Sequence, residues 1–234
     1  MKCAGRIFAL LQAVALALPI GAVADVTLVV SGADGQSSIQ VKNGMGRMDT
    51  PDGNYLLFDR ARDVVIRVEP ADGGYTEFTQ EGVSQMAQAA ALLHSQLARQ
   101  IGQAVPARIT AIRRGTSTVA GMTCDQHELM QDARKIGDAC MAKVASGQVS
   151  KDDFATLLSM MGFLRTAATE AADVLHLLDN QLAFLKTGLP GVPLSVVAEG
   201  QTFAVTSVST TVLDPHLFTD YQKLQEDSIP ILGP

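Results

Sequence analysis

Two of the three cysteines have the surroundings of a disulfide hairpin. Cys124 and Cys140 lie on either side of the polar stretch 131–134, which has the composition of a turn. A hairpin folded there would set Cys124 opposite Cys140 on neighbouring antiparallel strands, a geometry that suits a bridge. A redox-active or metal-binding thiol pair is the alternative, but the CxxC spacing typical of such pairs is missing. We therefore expect a structural disulfide.

Three of the four histidines have no visible partner for acid–base or metal chemistry. His94 and His176 fall on predicted helices, without a second histidine or a paired carboxylate at ligand spacing. His216 follows Pro215 in a predicted turn. Surface positions explain these residues better than ligation does.

His127 lies between two acidic residues, Asp125 and Glu128. The pair His127-Glu128 is superficially similar to the start of a zinc-binding helix, but no histidine follows at the required spacing. Its segment is predicted to be a strand, on which Asp125, His127 and Asp138 could converge around the hairpin. A metal site there is the minor alternative to a solvated strand face, so no metal is predicted.

Other groupings that resemble catalytic or cofactor sites have structural explanations. The chain has no GxSxG elbow and no phosphate-binding loop. Asp152 and Asp153 suit the positive end of a helix dipole better than a catalytic pair. Methionines beside leucines at helical spacing more often fill a core than bind copper, as at Met86, Met141, Met160 and Met161. The sequence predicts neither an enzyme nor a cofactor.

The first 24 residues have the three parts of a cleavable signal peptide. Lys2 and Arg6 precede an apolar run over 7–20, and Ala22-Val23-Ala24 supplies the small residues before a cut at Asp25. A transmembrane anchor is the alternative, but a span needs about 20 apolar residues. We expect a periplasmic or secreted protein with no transmembrane segment in its mature chain. Both locations are oxidising environments, which permit the disulfide.

The charge of the chain argues against two classes of partner. The full chain carries a formal net charge of −6, and its predicted leader contains two of the basic residues and no acid. An acidic surface repels both phosphate backbones and anionic lipid headgroups, so nucleic acid is not an expected partner.

Alternating polar and apolar residues predict strands over most of the chain. Residues 25–79 have the pattern of an antiparallel meander of about six strands, with a hairpin signal at Asn43-Gly44. The tail from Asp220 to Pro234 is predicted to be poorly ordered. Further strands are predicted at 109–113, 116–119, 122–130, 140–144, 194–198 and 202–212.

Apolar residues recurring at three and four positions predict two helices, at about 80–102 and 151–187. Ser150 is the expected N-cap of the second helix, which we expect to bend or break near Gly162 or at Asp179-Asn180. Helices inserted into one meandering sheet must cover one of its faces. The predicted fold is therefore α+β: a single domain over 25–219, with a strongly curved antiparallel sheet and helices on its concave face.

The cysteine hairpin also carries a recognisable pattern. Segments 121–124 and 137–142 resemble the G-x-x-C…C-x-A hairpin of an exported bacterial family, domain-of-unknown-function family 4412. Segment 42–49 is similar to an early hairpin of that family, and 193–194 and 217–223 are similar to its C-terminal end. The resemblance covers most of the mature chain.

That family is similar to the LolA/LolB lipoprotein carriers. The resemblance implies an unclosed β-barrel that wraps a few helices and encloses an apolar cavity for acyl chains. It also implies that Arg47 lies near the basic residue that follows the early hairpin in those carriers.

Two non-enzymatic functions remain open. The first is a binding module in which the sheet and helices hold a lipid or another hydrophobic ligand. The second is an envelope structural or interaction protein, in which the same side chains fill the core and the outer surface meets a protein partner. The resemblance favours the first. Its candidate residues are Arg47, Met86, Leu93, Leu97, Leu157, Leu158 and Met161.

Overall fold

The computed structural model describes residues 25–32, 35–86, 88, 109–170, 188–198 and 201–227. The predicted signal peptide, the later parts of both predicted helices and the last seven residues lie outside the described residues, and so do Leu93, Leu97, His94 and His176.

The described residues form one twelve-stranded sheet. The predicted meander over 25–79 is confirmed. Its six strands are β1 (Asp25–Gly32), β2 (Gly35–Lys42), β3 (Met45–Asp49), β4 (Tyr55–Asp59), β5 (Val64–Glu69) and β6 (Gly74–Thr79). The remaining strands are β7 (Ile109–Val119), β8 (Met122–Gln131), β9 (Arg134–Ala142), β10 (Val192–Ala198), β11 (Gln201–Thr211) and β12 (Gln225–Glu226).

The sheet is open, with β12 at one edge and β7 at the other. Its strand order is β12-β6-β5-β4-β3-β2-β1-β11-β10-β9-β8-β7. All neighbours are antiparallel except β12 and β6, which are parallel. Pairing of β1 with β11 joins the N-terminal meander to the C-terminal strands. The α+β fold with a large, curved, mostly antiparallel sheet is thus as expected.

A β-bulge in β7 and the early start of β9 distinguish the observed strands from the predicted ones. The segments predicted at 109–113 and 116–119 form one continuous strand, β7, whose register shifts between Arg113 and Gly115. Strand β9 begins at Arg134, earlier than predicted, directly after a tight turn at Asp132 and Ala133. Both turn residues have positive φ, of 48° and 64°, as a two-residue hairpin requires.

Two helices are seen in the described residues besides short 3-10 turns. Helix α1 begins at Gln80 and is described to residue 86. Helix α2 (Lys151–Glu170) begins where predicted, because the Ser150 hydroxyl accepts a hydrogen bond from the Asp153 backbone N–H at 3.1 Å. The helix continues through Gly162 without a break, and the alternative position at Asp179-Asn180 lies outside the described residues.

Helix α2 packs on what we call the inner face of the sheet. A Cβ on Gly46 of β3 would lie 2.8 Å from the Met160 sulfur, so glycine at this position lets the helix approach. Residues paired across neighbouring strands point to the same face, so the strand registers identify the inner face of every strand. The buried apolar residues of this face include Leu28, Ile39, Met48, Phe58, Val65, Ala139, Val196, Phe203 and Val205.

The opposite, outer face of β4 and β5 is covered by the C-terminal segment. Two 3-10 helices, Pro215–Phe218 and Asp220–Lys223, place Phe218 and Tyr221 against an apolar cluster that contains Leu57 and Ile66. The expectation of a poorly ordered tail from Asp220 is therefore wrong for residues 220–227. Aromatic burial at Tyr221 and the pairing of β12 with β6 fix this segment.

Candidate functional site

Cys124 and Cys140 form the expected disulfide, with a Cα–Cα distance of 5.4 Å. They are not directly opposite, however, because Cys140 faces Gln126 in the ladder. From the turn, Met130 pairs with Lys135 but Leu129 pairs with Gly137, so Ile136 is an inserted residue. This bulge changes the parity of the register and puts both cysteines on the same, outer face.

Both cysteines are buried, at 2% and 3% exposure. Such a disulfide is typical of a protein that matures in an oxidising compartment. Within the described ranges, no helix is both long and apolar enough to cross a membrane.

On the inner face of β8, Asp125 bridges two cations. One oxygen accepts a hydrogen bond from Arg113 of β7 at 2.8 Å, and the other lies 2.9 Å from the Lys143 ammonium just after β9. The hydrogen bond from Arg113, and then that from Lys143, lowers the pKa of Asp125 from 3.8 to about 2. The carboxylate is therefore ionised at any physiological pH, and this group of three side chains carries one surplus positive charge.

His127 lies two residues further along the same face and is only 8% exposed. It is opposed by Arg113 on β7 and by Ala139 on β9. Among the described residues, neither ring nitrogen has a hydrogen-bond partner, although both are buried. Burial, followed by the charge of Lys143, lowers the pKa of His127 below 6.5, while Asp125 opposes this effect. The imidazole is therefore neutral at pH 7.

The predicted convergence of Asp125, His127 and Asp138 does not occur. Asp138 is opposite Glu128 on β8, which by strand alternation places it on the outer face, and its side chain is 59% exposed. In the portion of the chain that is described, no group of three potential metal ligands is found. His216 is exposed, with one ring nitrogen 3.5 Å from Asp220.

The described members of the candidate ligand-binding set do not form one site; Leu93 and Leu97 lie outside the described residues. Leu157 and Met161 lie in the core beneath α2, at 0% and 1% exposure, whereas Leu158 is 38% exposed on the other side of the helix. Met86 is partly buried against the same core. Arg47 is on the outer face, separated from these residues by the sheet itself.

Arg47 connects β3 to the C-terminal segment. It donates hydrogen bonds of 2.7 Å to the Leu217 carbonyl and to Asp49, and its guanidinium carbon lies 3.7 Å from the centre of the Tyr55 ring. This arrangement of hydrogen bonds and a cation–π contact holds the segment onto the sheet. Arg47 therefore lies on the opposite face of the sheet from the helical candidates with which the sequence grouped it.

The sequence predicts a solvated strand face at His127, with a metal site as the minor alternative, and it does not indicate that this side chain is buried. Period-two alternation does group it with Asp125 and Leu129. The face on which this group lies depends on the bulges in β7 and β9, which no residue pattern in the sequence marks.

Comparisons with known proteins identify no family. Neither a protein-family model nor a curated protein matches the chain. The fold is similar to the crystal structure of an uncharacterized conserved protein from Thermus thermophilus, with 8% identity, a TM-score of 0.41, and coverage of 87% of this chain and 90% of that one. It is also similar to the complex structure of MucA/MucB from Pseudomonas aeruginosa, with 12% identity, a TM-score of 0.30, and coverage of 90% and 62%.

Proposed function

We propose that this chain is a periplasmic, non-enzymatic binding protein that holds a lipid or another hydrophobic ligand on the inner face of β7–β10. Export is supported by the signal-like leader that the sequence predicts before Asp25. The buried disulfide supports the same compartment. Resemblance to family 4412 and to the lipoprotein carriers supports an apolar ligand.

The proposed location of the ligand site rests on a difference in burial along the inner face. The inner face is closed in the meander, where Leu28, Ile39 and Phe58 are at most 1% exposed. Towards the β7 edge, Ile109, Ile136 and Ala198 are only partly buried against the same core. Half-exposed apolar side chains at the margin of a core offer surface to an apolar ligand, because covering them removes that surface from water.

A fluorescent probe tests this location. We expect the mature chain to bind N-phenyl-1-naphthylamine with increased emission, and Ile109→Glu to weaken binding about tenfold by placing a charge in the apolar region. The matched control is Ile112→Glu, which alters an exposed isoleucine of the same strand opposite Glu128 on the outer face. Equal loss in both variants, or no binding by the wild type, would reject the proposed site.

A second function is favoured by the packing beneath α2. Leu157, Met160 and Met161 are at most 1% exposed, so these side chains fill space rather than line a water-accessible void. This suits an envelope protein whose outer surface meets a protein partner. Native mass spectrometry on gently recovered protein separates the two functions: releasable lipid supports the binding protein, and a bare chain that stays bare after incubation with lipid supports the interaction protein.

A further inference from the structure

On the inner face, both β7 and β8 have charged side chains nearer one end of the hairpin and apolar side chains further along. Along β7 the inward positions are Arg113, Ala111 and Ile109, and they face His127, Leu129 and Gln131 on β8. Asp125 is the next inward position of β8 beyond His127 and is ion-paired to Arg113. The four-residue span from the charged end to the apolar end is about 13 Å. His127 stands between the two ends.

The charged end has an unused capacity for an anion. Arg113 and Lys143 share the single carboxylate of Asp125, and their side chains are 56% and 46% exposed. A guanidinium has five N–H donors and an ammonium has three, so both cations retain donors that face water. This surplus positive charge stands out in a chain whose formal net charge is −6.

His127 adds a second, independent observation. Its side chain is more than nine-tenths buried, and within the described residues neither ring nitrogen is hydrogen-bonded. Buried polar groups in folded proteins almost always have a partner, so this ring lacks one that a ligand atom or a water could supply. The imidazole lies beside the Asp125 group, on the route from the cations to the apolar residues.

We propose that the ligand is a single-chain amphiphile whose anionic head group binds Arg113 and Lys143, whose first polar atoms meet His127, and whose alkyl chain extends towards Ile109. This assignment rests on the proposed function and specifies its ligand class. The head group is a carboxylate or a phosphate, since both accept the parallel hydrogen bonds that a guanidinium donates.

Three probes of equal chain length test the head group: dodecanoate, dodecyl phosphate and dodecanol. We expect the wild type to bind at least one anion about tenfold more tightly than dodecanol, as measured by displacement of the fluorescent probe. The tighter anion identifies the source of the charge. If dodecanol binds as tightly as both anions, the head-group assignment is overturned while the proposed function stands. If no probe binds, the proposed function fails too.

Variants with uncharged replacements test where the head group binds. Arg113→Gln should weaken anion binding about tenfold and leave dodecanol binding unchanged, because only the anions gain from its charge. His127→Leu should weaken anion binding by a similar factor. The control is Arg114→Gln, next to Arg113 but ion-paired to Glu128 on the outer face, which should change neither affinity. Parallel loss of dodecanol and anion binding in Arg113→Gln would indicate a structural role and contradict the assignment, as would an unchanged anion affinity.

Discussion

At the scale of one residue, we expect the buried ring of His127 to lower the stability of the fold. A buried donor or acceptor that lacks a partner costs about 1–3 kcal/mol, since water would otherwise bond to it. Functional sites often retain such unfavourable groups, which a protein selected for stability alone would lose. His127 therefore gives a direct test at the scale of one side chain.

The pH dependence of stability should reveal His127. Burial, ahead of the nearby cations Lys143 and Arg113, lowers its pKa in the folded state below 6.5, so the unfolded chain binds more protons as the pH falls past 6.5. The free energy of unfolding should thus decrease from pH 7 to pH 5, and His127→Leu should flatten this decrease. Urea denaturation at several pH values measures both slopes.

Asp125 provides an internal reference for that experiment. Its pKa of about 2 in the folded state, against 3.8 otherwise, means that its stabilising contribution is complete above pH 4 and is lost as the pH falls towards 2. The effect of Asp125 on stability therefore lies at lower pH than the range from pH 7 to pH 5 that is assigned to His127. Identical slopes for wild type and His127→Leu between pH 7 and 5 would show that His127 is not the titrating group.

Asp25 forms the most buried ion pair among the described residues. Its carboxylate accepts a hydrogen bond from Lys42 and another from the Leu213 backbone N–H, both at 2.7 Å, and the two side chains are 6% and 14% exposed. We expect Asp25→Ala in the purified mature chain to lower the free energy of unfolding by about 3 kcal/mol, because Lys42 is left buried without its partner.

A double variant separates this pair from simple packing. Asp25→Ala with Lys42→Met should recover part of the loss, since no unpaired charge is left in the interior. Denaturation by urea measures both variants. A double variant that is less stable than Asp25→Ala alone would mean that the carboxylate acts through Leu213 rather than through Lys42.

At the scale of elements, the hairpin β8–β9 depends on its disulfide. In the chain-entropy account, a loop of this size contributes about 3 kcal/mol by restricting the unfolded chain. We expect Cys124→Ala with Cys140→Ala to lose about this amount in urea denaturation. Adding a reductant should destabilise the wild type but leave the double variant unchanged. An equal response of both proteins would exclude the disulfide as the cause.

Local patterns predict most of the elements but not how two of them align. The alternation over 25–79, the Asn43-Gly44 turn and the Ser150 cap are encoded within a few residues and are found as expected. The bulge at Ile136 is different, because the residue fits a regular strand equally well. Register across a bulge is decided by which face is buried, and that depends on strands distant in the chain.

The site is less predictable than the elements for the same reason. The resemblance to the carriers groups Arg47 with apolar residues of the predicted helices, and its strand does contact α2. The face on which Arg47 lies is covered by residues 213–227, however, and no residue pattern indicates that they lie there. Most residues of 220–227 are polar, so the sequence does not indicate that Tyr221 is buried. Tyr221 is buried because it packs on the apolar cluster that contains Leu57 and Ile66.

At the scale of the whole molecule, the C-terminal segment completes the outer face. Phe218 is 4% exposed over the cluster that contains Leu57 and Ile66. We expect Phe218→Ala to lower the free energy of unfolding by about 3–5 kcal/mol, the usual cost of removing a buried aromatic ring. Thermal unfolding measures this. The control, His216→Ala in the same 3-10 helix, removes an exposed side chain and should have little effect.

The pairing of β1 with β11 sets an order of events during biogenesis. A polypeptide is made from its N-terminus, so β1 can meet β2 early, yet its other edge stays open until residues 201–211 have been delivered. An open edge can recruit strands from other molecules. Until β11 arrives, the outcome depends on a chaperone or on how quickly residues 201–211 are delivered. The stability of the finished fold does not decide at that stage whether the chain folds or aggregates.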